Sequence, residues 1–119
     1  MKKLFKSFGF AAKGISIAFK EQQNLRIHAV VVVIVIALGF FLRLTKVEWA
    51  IITLTIGFVI SAELLNTAIE ELVNLVSPGH HQLAGKIKDI SAGAVLLAAV
   101  AAVIVGVVIL GSKIFVLLV

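Results

Sequence analysis

Long uncharged stretches alternate with short polar ones along this chain, and the alternation predicts helices that cross a membrane. The first such stretch, Ala29 to Leu42, carries no charged residue. With its flanks it reaches the roughly 20 residues that a helix needs to cross the hydrocarbon core of a bilayer. Two later stretches also lack charged residues. One is followed by a cluster of acids, and the other is rich in Ala, Gly and Val. We predict transmembrane helices at about residues 27-45, 47-76 and 90-111.

The first twenty residues show the periodicity of an amphipathic helix. Apolar positions recur at helical spacing, and the lysines fall mainly elsewhere. Lysine side chains can extend from such a helix to lipid head groups, which suits a helix lying in the membrane interface. The predicted fold class is therefore an all-α membrane protein, in which an interfacial helix at about residues 2-20 and three transmembrane helices form a single domain, 1-119.

Two polar segments are predicted to separate the transmembrane helices. The segment Arg43 to Glu48 is interpreted as a short turn. The second helix is expected to end near Ser77, because Pro78 disfavours helix in the residue before it. A loop or short helix is expected from His80 to Asp89, where Asp89 is either functional or a simple N-terminal cap of the last helix.

The composition is that of an integral membrane protein. Of the 119 residues, 61% are hydrophobic and 14% are charged, and the mean hydropathy is +1.19. Cysteine is absent, which excludes disulfides and thiolate metal sites. The formal charge of +5 does not indicate a nucleic-acid partner, because the basic residues flank hydrophobic runs instead of forming a patch with stacking aromatic residues.

The basic residues are unequally divided between the two membrane faces of this topology. One face has Lys2, Lys3, Lys6, Lys13, Lys20, Arg26, Lys86 and Lys88, and the other has Arg43, Lys46 and Lys113. Lys and Arg concentrate in cytoplasmic segments. We therefore predict a multi-pass protein of the cell membrane whose N-terminus and 77–89 connection are cytoplasmic.

The strongest candidate for chemistry is the stretch S-A-E-L-L-N-T-A-I-E at residues 61–70. Glu63, Asn66 and Glu70 are spaced i, i+3, i+7 and share one helix face. A carboxylate within a membrane costs roughly 2.5 to 3.5 kcal/mol on insertion scales, which favours a functional interpretation. The alternative is that these polar side chains only join helices through hydrogen bonds. Two carboxylates about 10 Å apart along the helix axis can supply a base and a metal ligand.

Acids, an amide, lysines and histidines at one membrane face suggest phosphoryl transfer, in which carboxylates hold a divalent metal ion and lysines neutralise phosphate oxygens. Generic nucleotide-binding motifs do not support it. The segment Gly79 to Lys86 has the wrong spacing for a Walker A loop, and Ile87 stands where Ser or Thr is required. We interpret His80 and His81 as exposed loop residues in preference to metal ligands. His28 fits an interfacial residue at the start of a helix as well as it fits a functional one.

Two long motifs give the chain a resemblance to a known family. E-L-L-N-T-A-I-E at residues 63–70 and H-Q-L-A-G-K-I-K-D-I-S-A-G-A-V-L at residues 81–96 resemble the bacterial integral-membrane diacylglycerol kinase and undecaprenol kinase family. The likeness extends upstream to A-F-K-E-Q-Q-N-L-R-I-H at residues 18–28 and covers almost the whole chain. It implies a homotrimer with active sites shared between neighbouring subunits, ATP with Mg²⁺, and a membrane lipid alcohol as the acceptor.

The resemblance also implies roles for individual residues. Glu63 matches the proposed general base for the lipid hydroxyl, and the expected lipid contacts are Glu63, Asn66 and Arg26. The expected metal ligands are Glu70, Glu21 and Gln22. The expected nucleotide-binding residues are Lys88, Asp89, Asn66, Lys86 and Lys13.

Gln22 departs from the family pattern, which usually has a second metal-binding Glu at this position. An amide oxygen can bind Mg²⁺ but supplies no charge. Either Glu21 replaces the missing carboxylate, or metal affinity is reduced, or catalysis is impaired.

Two classes of function stay open at this point. A lipid kinase is favoured, and the alternative is a non-enzymatic channel or assembly subunit whose polar face lines a pore. Within the kinase class, the short N-terminus and the N-L-R-I-H segment at residues 24–28 look more like the undecaprenol kinases of Gram-positive bacteria. We therefore expect undecaprenol to be converted to undecaprenyl phosphate, with diacylglycerol, which would give phosphatidic acid, as the alternative acceptor.

Overall fold

The computed structural model describes residues 1–119 as successive helical segments joined by short turns. In chain order they are α1 (Lys2–Glu21), α2 (Gln23–Phe41), α3 (Lys46–Val76), α4 (Gln82–Gly106), a π-helical turn (Val107–Gly111) and α5 (Ser112–Leu118). Three stretches are long and apolar enough to cross a membrane, namely α2, α3 and the continuous stretch from α4 to α5. No strand is present. The predicted all-α fold class, with three membrane-spanning helices after an N-terminal helix, is confirmed.

Helix α1 joins α2 at a sharp corner formed by one extended residue, Gln22, with φ −110° and ψ 112°. The guanidinium of Arg26 donates hydrogen bonds to the backbone carbonyls of Phe19 (2.8 Å) and Lys20 (2.9 Å) in the last turn of α1. Carbonyls at this position lack partners within their own helix, and a cation there also stabilises the negative end of the helix dipole. Arg26 therefore fixes the corner between the two helices.

The turn after α2 begins with a Schellman arrangement. Arg43 has φ 56°, and the amides of Arg43 and Leu44 donate to the carbonyls of Phe40 (3.3 Å) and Gly39 (3.1 Å). A residue in the left-handed region cannot continue a right-handed helix. For this reason α2 ends at Phe41, four residues before the predicted end at about residue 45.

The N-terminus of α3 is fixed by a capping box between Thr45 and Glu48. The Glu48 amide donates to Thr45 Oγ1 (3.2 Å), and the Thr45 amide donates to Glu48 Oε1 (2.9 Å). Lys113 on α5 forms an ion pair with the same carboxylate oxygen, at an Nζ–Oε1 distance of 3.1 Å. These contacts tie the end of the last membrane-spanning stretch to the beginning of α3.

Helix α4 begins at Gln82, eight residues before the predicted start of the last membrane helix at about residue 90. His81 is its N-cap, and His81 Nδ1 accepts a hydrogen bond from the Leu83 amide (3.1 Å). No proline follows Pro78, and a single glycine within a helix costs only about 1 kcal/mol. Residues 82–89 are therefore the first turns of α4, and Asp89 lies inside the helix and is not its cap.

The main packing contact of the fold joins α3 and α4. Small buried residues on α4, namely Ala84, Ser91 and Ala98, let the two helices approach closely. Only 12 of the 119 residues are buried, and the molecule is thin, at 57 × 42 × 21 Å. Most apolar side chains therefore lie on the outside, as is expected of helices surrounded by lipid or by other membrane helices.

The indole ring of Trp49 covers Gly39 at the turn between α2 and α3. A Cβ atom added at Gly39 would lie 2.6 Å from Trp49 Cη2 and 3.0 Å from Leu44 Cδ1. The Trp49 ring also packs against Phe40, with their ring centroids 4.9 Å apart. The indole therefore has little freedom to move away from a larger residue.

We predict that Gly39→Ala destabilises the folded protein by about 1 to 3 kcal/mol, because the added methyl group overpacks the contact with Trp49. Gly57→Ala is the matched control, since an added Cβ there has no atom within 4 Å and the change improves helix propensity. Thermal unfolding in detergent micelles compares the two variants. Unfolding of Gly39→Ala at the same temperature as the parent would contradict this account.

Candidate active site

The carboxylate of Glu63 is buried within a helix that is long and apolar enough to cross a membrane. The residue exposes only 5% of its surface, and its Oε1 lies 3.0 Å from Nε2 of His28 on α2. A buried carboxylate needs a hydrogen-bond donor, because desolvation without a partner is costly. His28 supplies that donor across the contact between α2 and α3.

Asn66, one turn further along α3, is held at both ends of its amide. Its Nδ2 donates to Glu70 Oε1 (3.0 Å), and its Oδ1 accepts a hydrogen bond from the buried Ser91 hydroxyl of α4 (2.7 Å). These two bonds fix which end of the amide points to each neighbour. Glu63, Asn66 and Glu70 thus lie on the side of α3 that meets α2 and α4.

The polar side of α3 continues to Asn74, whose Oδ1 accepts a hydrogen bond from the Lys88 ammonium (2.6 Å). Lys88 and Ser91 are three residues apart on α4 and therefore lie on one face of that helix. These residues of α3 and α4 form a row of polar side chains, in which Asn66 and Asn74 bond to α4 and Glu63 contacts His28 on α2. We call this row the polar seam, and its members are Glu63, Asn66, Glu70, Asn74, Lys88 and Ser91.

An apolar groove of about 440 Å³ lies among α2, α3 and α4. Its walls are mostly Val and Ile side chains, and α4 contributes the small residues Ala99, Ala102 and Gly106. His28 belongs to both features, since it lines the groove and contacts Glu63. An apolar groove with only a few polar groups in its wall suits a ligand with an apolar tail and a polar end.

Four of the expected nucleotide and lipid contacts lie outside the polar seam. Lys13, Lys86 and Asp89 are exposed on α1 and α4 and take part in no salt bridge of the chain. Arg26 has its guanidinium on backbone carbonyls of α1. Of the expected nucleotide and lipid contacts, only Glu63, Asn66 and Lys88 belong to the polar seam, where each bonds to a different partner.

The residues expected to hold a metal ion lie on two elements, with Glu70 on α3 and Glu21 and Gln22 at the end of α1. No three His, Asp or Glu side chains form a group that could hold a metal ion. Mg²⁺ is commonly bound through only one or two carboxylates, together with substrate phosphates and waters. The half-buried Glu70 carboxylate, which is hydrogen-bonded to Asn66, fits that mode of binding.

Three side chains at this site were not assigned from the sequence, namely His28, Asn74 and Ser91. Asn74 carried a signal, because it is four residues after Glu70 and extends the same helix face. Ser91 carried a weaker one, three residues after Lys88. His28 ends the upstream motif at residues 18–28, but nothing in the sequence indicated its contact with Glu63, because that contact depends on how α2 packs against α3.

Comparison with known proteins identifies the family. The sequence profile described as prokaryotic diacylglycerol kinase matches residues 9–110. An undecaprenol kinase of Bacillus subtilis (strain 168) is 42% identical over 113 residues, which cover 95% of this chain and 92% of that protein.

Diacylglycerol kinases are similar to the chain as well. That of Synechocystis sp. is 49% identical over 104 residues, which are 87% of this chain and 59% of the Synechocystis protein. That of Haemophilus influenzae is 33% identical over 95 residues, which are 80% of each chain. The chain therefore belongs to the prokaryotic diacylglycerol kinase family and is a kinase that phosphorylates an alcohol group of a membrane lipid.

Proposed function

We propose that the protein is an undecaprenol kinase, which transfers the γ-phosphoryl group of ATP to the hydroxyl of undecaprenol. The observation that carries the proposal is the buried Glu63 carboxylate beside an apolar groove that shares its partner, His28. A long apolar tail in the groove would bring a terminal hydroxyl to this carboxylate. The choice of lipid is supported by the Bacillus subtilis relative, named undecaprenol kinase, which matches nearly end to end.

In the proposed reaction the lipid hydroxyl gives its proton to the Glu63 carboxylate. The hydroxyl oxygen forms a bond to the γ-phosphorus of ATP while the bond from that phosphorus to the bridging oxygen breaks, and the electron pair of the broken bond leaves with ADP. The products are the lipid phosphate, ADP and a proton held on Glu63. Because the membrane confines the lipid, the chain has mainly to position two reactants.

The nucleotide is bound, in this proposal, by lysines that neutralise phosphate oxygens and by polar groups at the same end of the helices. Mg²⁺, when bound, neutralises phosphate charge and orients the γ-phosphoryl group. Glu70 would be its principal ligand, and Glu21 and Gln22 are the other candidates. The proposed nucleotide-binding residues are Asn66, Lys88, Asp89, Lys86 and Lys13.

The proposal includes a homotrimer in which neighbouring subunits complete each active site. It is supported by the thinness of the single chain, in which only 12 residues are buried. It is also supported by Lys13 and Glu21, which are exposed on α1 and take part in no salt bridge of the chain. A neighbouring copy would bring such residues to the polar seam. The N-terminus is proposed to be cytoplasmic, because most basic residues lie on that face.

Diacylglycerol is the alternative acceptor, since the Synechocystis relative that is 49% identical is named diacylglycerol kinase. The deciding experiment offers undecaprenol and diacylglycerol to the purified protein in one mixed micelle with ATP and Mg²⁺. The ratio of the two kcat/KM values measures the discrimination. We expect the higher value for undecaprenol, and a higher value for diacylglycerol would overturn the choice of lipid.

We predict that Glu63→Gln lowers kcat by about 10² to 10⁴-fold, because the amide keeps the shape of the side chain but cannot accept the proton. Glu71→Gln is the matched control, since Glu71 lies on the same helix and is exposed outside the polar seam. Phosphate transfer to undecaprenol from radiolabelled ATP is the measurement. More than about a tenth of parental activity in Glu63→Gln would rule out this base.

We predict that Ala102→Phe lowers kcat/KM for undecaprenol by about tenfold or more, equivalent to about 1.4 kcal/mol, because the ring fills the apolar groove. Ala101→Phe introduces the same ring on the exposed side of α4, since Ala101 is exposed and Ala102 lines the groove. Steady-state kinetics with varied lipid compare the two. Equal losses in both variants would mean that the groove does not hold the lipid.

We predict that Glu70→Gln raises the Mg²⁺ concentration needed for half-maximal activity by about tenfold, equivalent to about 1.4 kcal/mol, because a charged oxygen ligand is lost. Gln22→Glu is expected to lower that concentration by restoring a carboxylate at the family position. Mg²⁺ titrations at fixed ATP measure both effects. Titration curves that coincide with the parental curve for both variants would place the metal elsewhere.

A further inference from the structure

The contact between His28 and Glu63 engages one oxygen of the carboxylate. Nε2 of His28 lies 3.0 Å from Oε1 of Glu63. The nearby Thr67 hydroxyl donates to the backbone carbonyl of Glu63 (2.9 Å) and not to its side chain. His28 is therefore the side chain that holds the carboxylate through Oε1. The other oxygen, Oε2, remains available to accept a proton.

His28 also differs from the other polar residue of the apolar groove. Thr55 lines the groove as well, but its hydroxyl donates to the Ile51 carbonyl within α3 (2.7 Å). The donor of Thr55 is thus used inside its own helix. The imidazole of His28 comes from α2 and reaches a side chain of α3, so it can set the orientation of that side chain relative to the groove.

We propose that His28 is a positioning residue for phosphoryl transfer, acting through Glu63. The Nε2–H group donates to Oε1, restrains the rotation of the carboxylate and leaves Oε2 to take the proton of the lipid hydroxyl. This inference rests on the proposed role of Glu63 as the base. In a neutral imidazole, donation from Nε2 leaves Nδ1 without a proton.

The kinetic test compares His28→Leu with His28→Gln in mixed micelles of undecaprenol. Leu keeps an apolar side chain against the groove and removes the donor. We expect kcat to fall by about 10 to 100-fold, the scale of a misplaced reacting group, while KM for the lipid changes by less than about twofold, since tail binding is retained. Gln carries an N–H donor at a similar distance from Cα, so it is expected to restore most of kcat.

Thr53→Val is the control for altering a polar residue of a membrane-spanning helix, since Thr53 is exposed on α3 and does not line the groove, and it is expected to leave kcat unchanged. The inference is overturned if His28→Leu retains parental kcat, or if His28→Gln is as impaired as His28→Leu. It is equally overturned if KM rises while kcat is unchanged, because His28 would then bind the lipid and not position the base. A parent protein that phosphorylates no lipid would instead contradict the proposed function.

A second readout does not depend on activity. Nitrogen NMR of histidine-labelled protein in lipid bilayers distinguishes the two neutral tautomers, and the His28 signals are those missing from the His28→Leu spectrum. We expect a protonated Nε2 whose signal shifts in Glu63→Leu but not in Glu71→Leu. A His28 protonated on Nδ1 alone, or one indifferent to Glu63→Leu, would overturn the inference even if the kinetic results agreed.

Discussion

The burial of a carboxylate in a membrane-spanning helix is the constraint on which the rest of this structure depends. Glu63 can remain there only if a neighbouring helix supplies a donor, since a charged group without a partner is costly in a membrane. His28 on α2 supplies it at 3.0 Å. The same need for partners orders the amide of Asn66 between Glu70 and Ser91. Family membership decides against the non-enzymatic alternative, and the role proposed for Glu63 as the base would account for a carboxylate at this cost.

Close packing of α3 against α4 makes the arrangement possible in a short chain. Small buried residues on α4 bring its Ser91 and Lys88 within hydrogen-bond distance of Asn66 and Asn74 on α3. The apolar groove lies among α2 and the same two helices, so that the packing of α3 shapes both the polar seam and the groove. The membrane supplies the confinement that a soluble kinase obtains from an enclosing domain.

The sequence predicted the elements of this fold better than their ends. Uncharged runs identify membrane helices because bilayer thickness sets their length, but the end of α2 depends on Arg43 adopting a left-handed conformation. The helix face of Glu63, Asn66 and Glu70 followed from spacing within one helix. The contact of Glu63 with His28 could not be found this way, because it depends on the rotation and depth of α2 against α3. Pairing between helices requires the packed structure.

The central claim is that a lipid hydroxyl meets the Glu63 carboxylate at one end of the apolar groove. The most direct measurement is an experimental structure of the protein with bound undecaprenol and a non-hydrolysable ATP analogue. We predict that the hydroxyl oxygen lies within about 2.6 to 3.2 Å of a Glu63 carboxylate oxygen, with the tail of the lipid along Ala102. A hydroxyl outside hydrogen-bond reach of Glu63, or a tail bound on the exposed face of α4, would contradict the account.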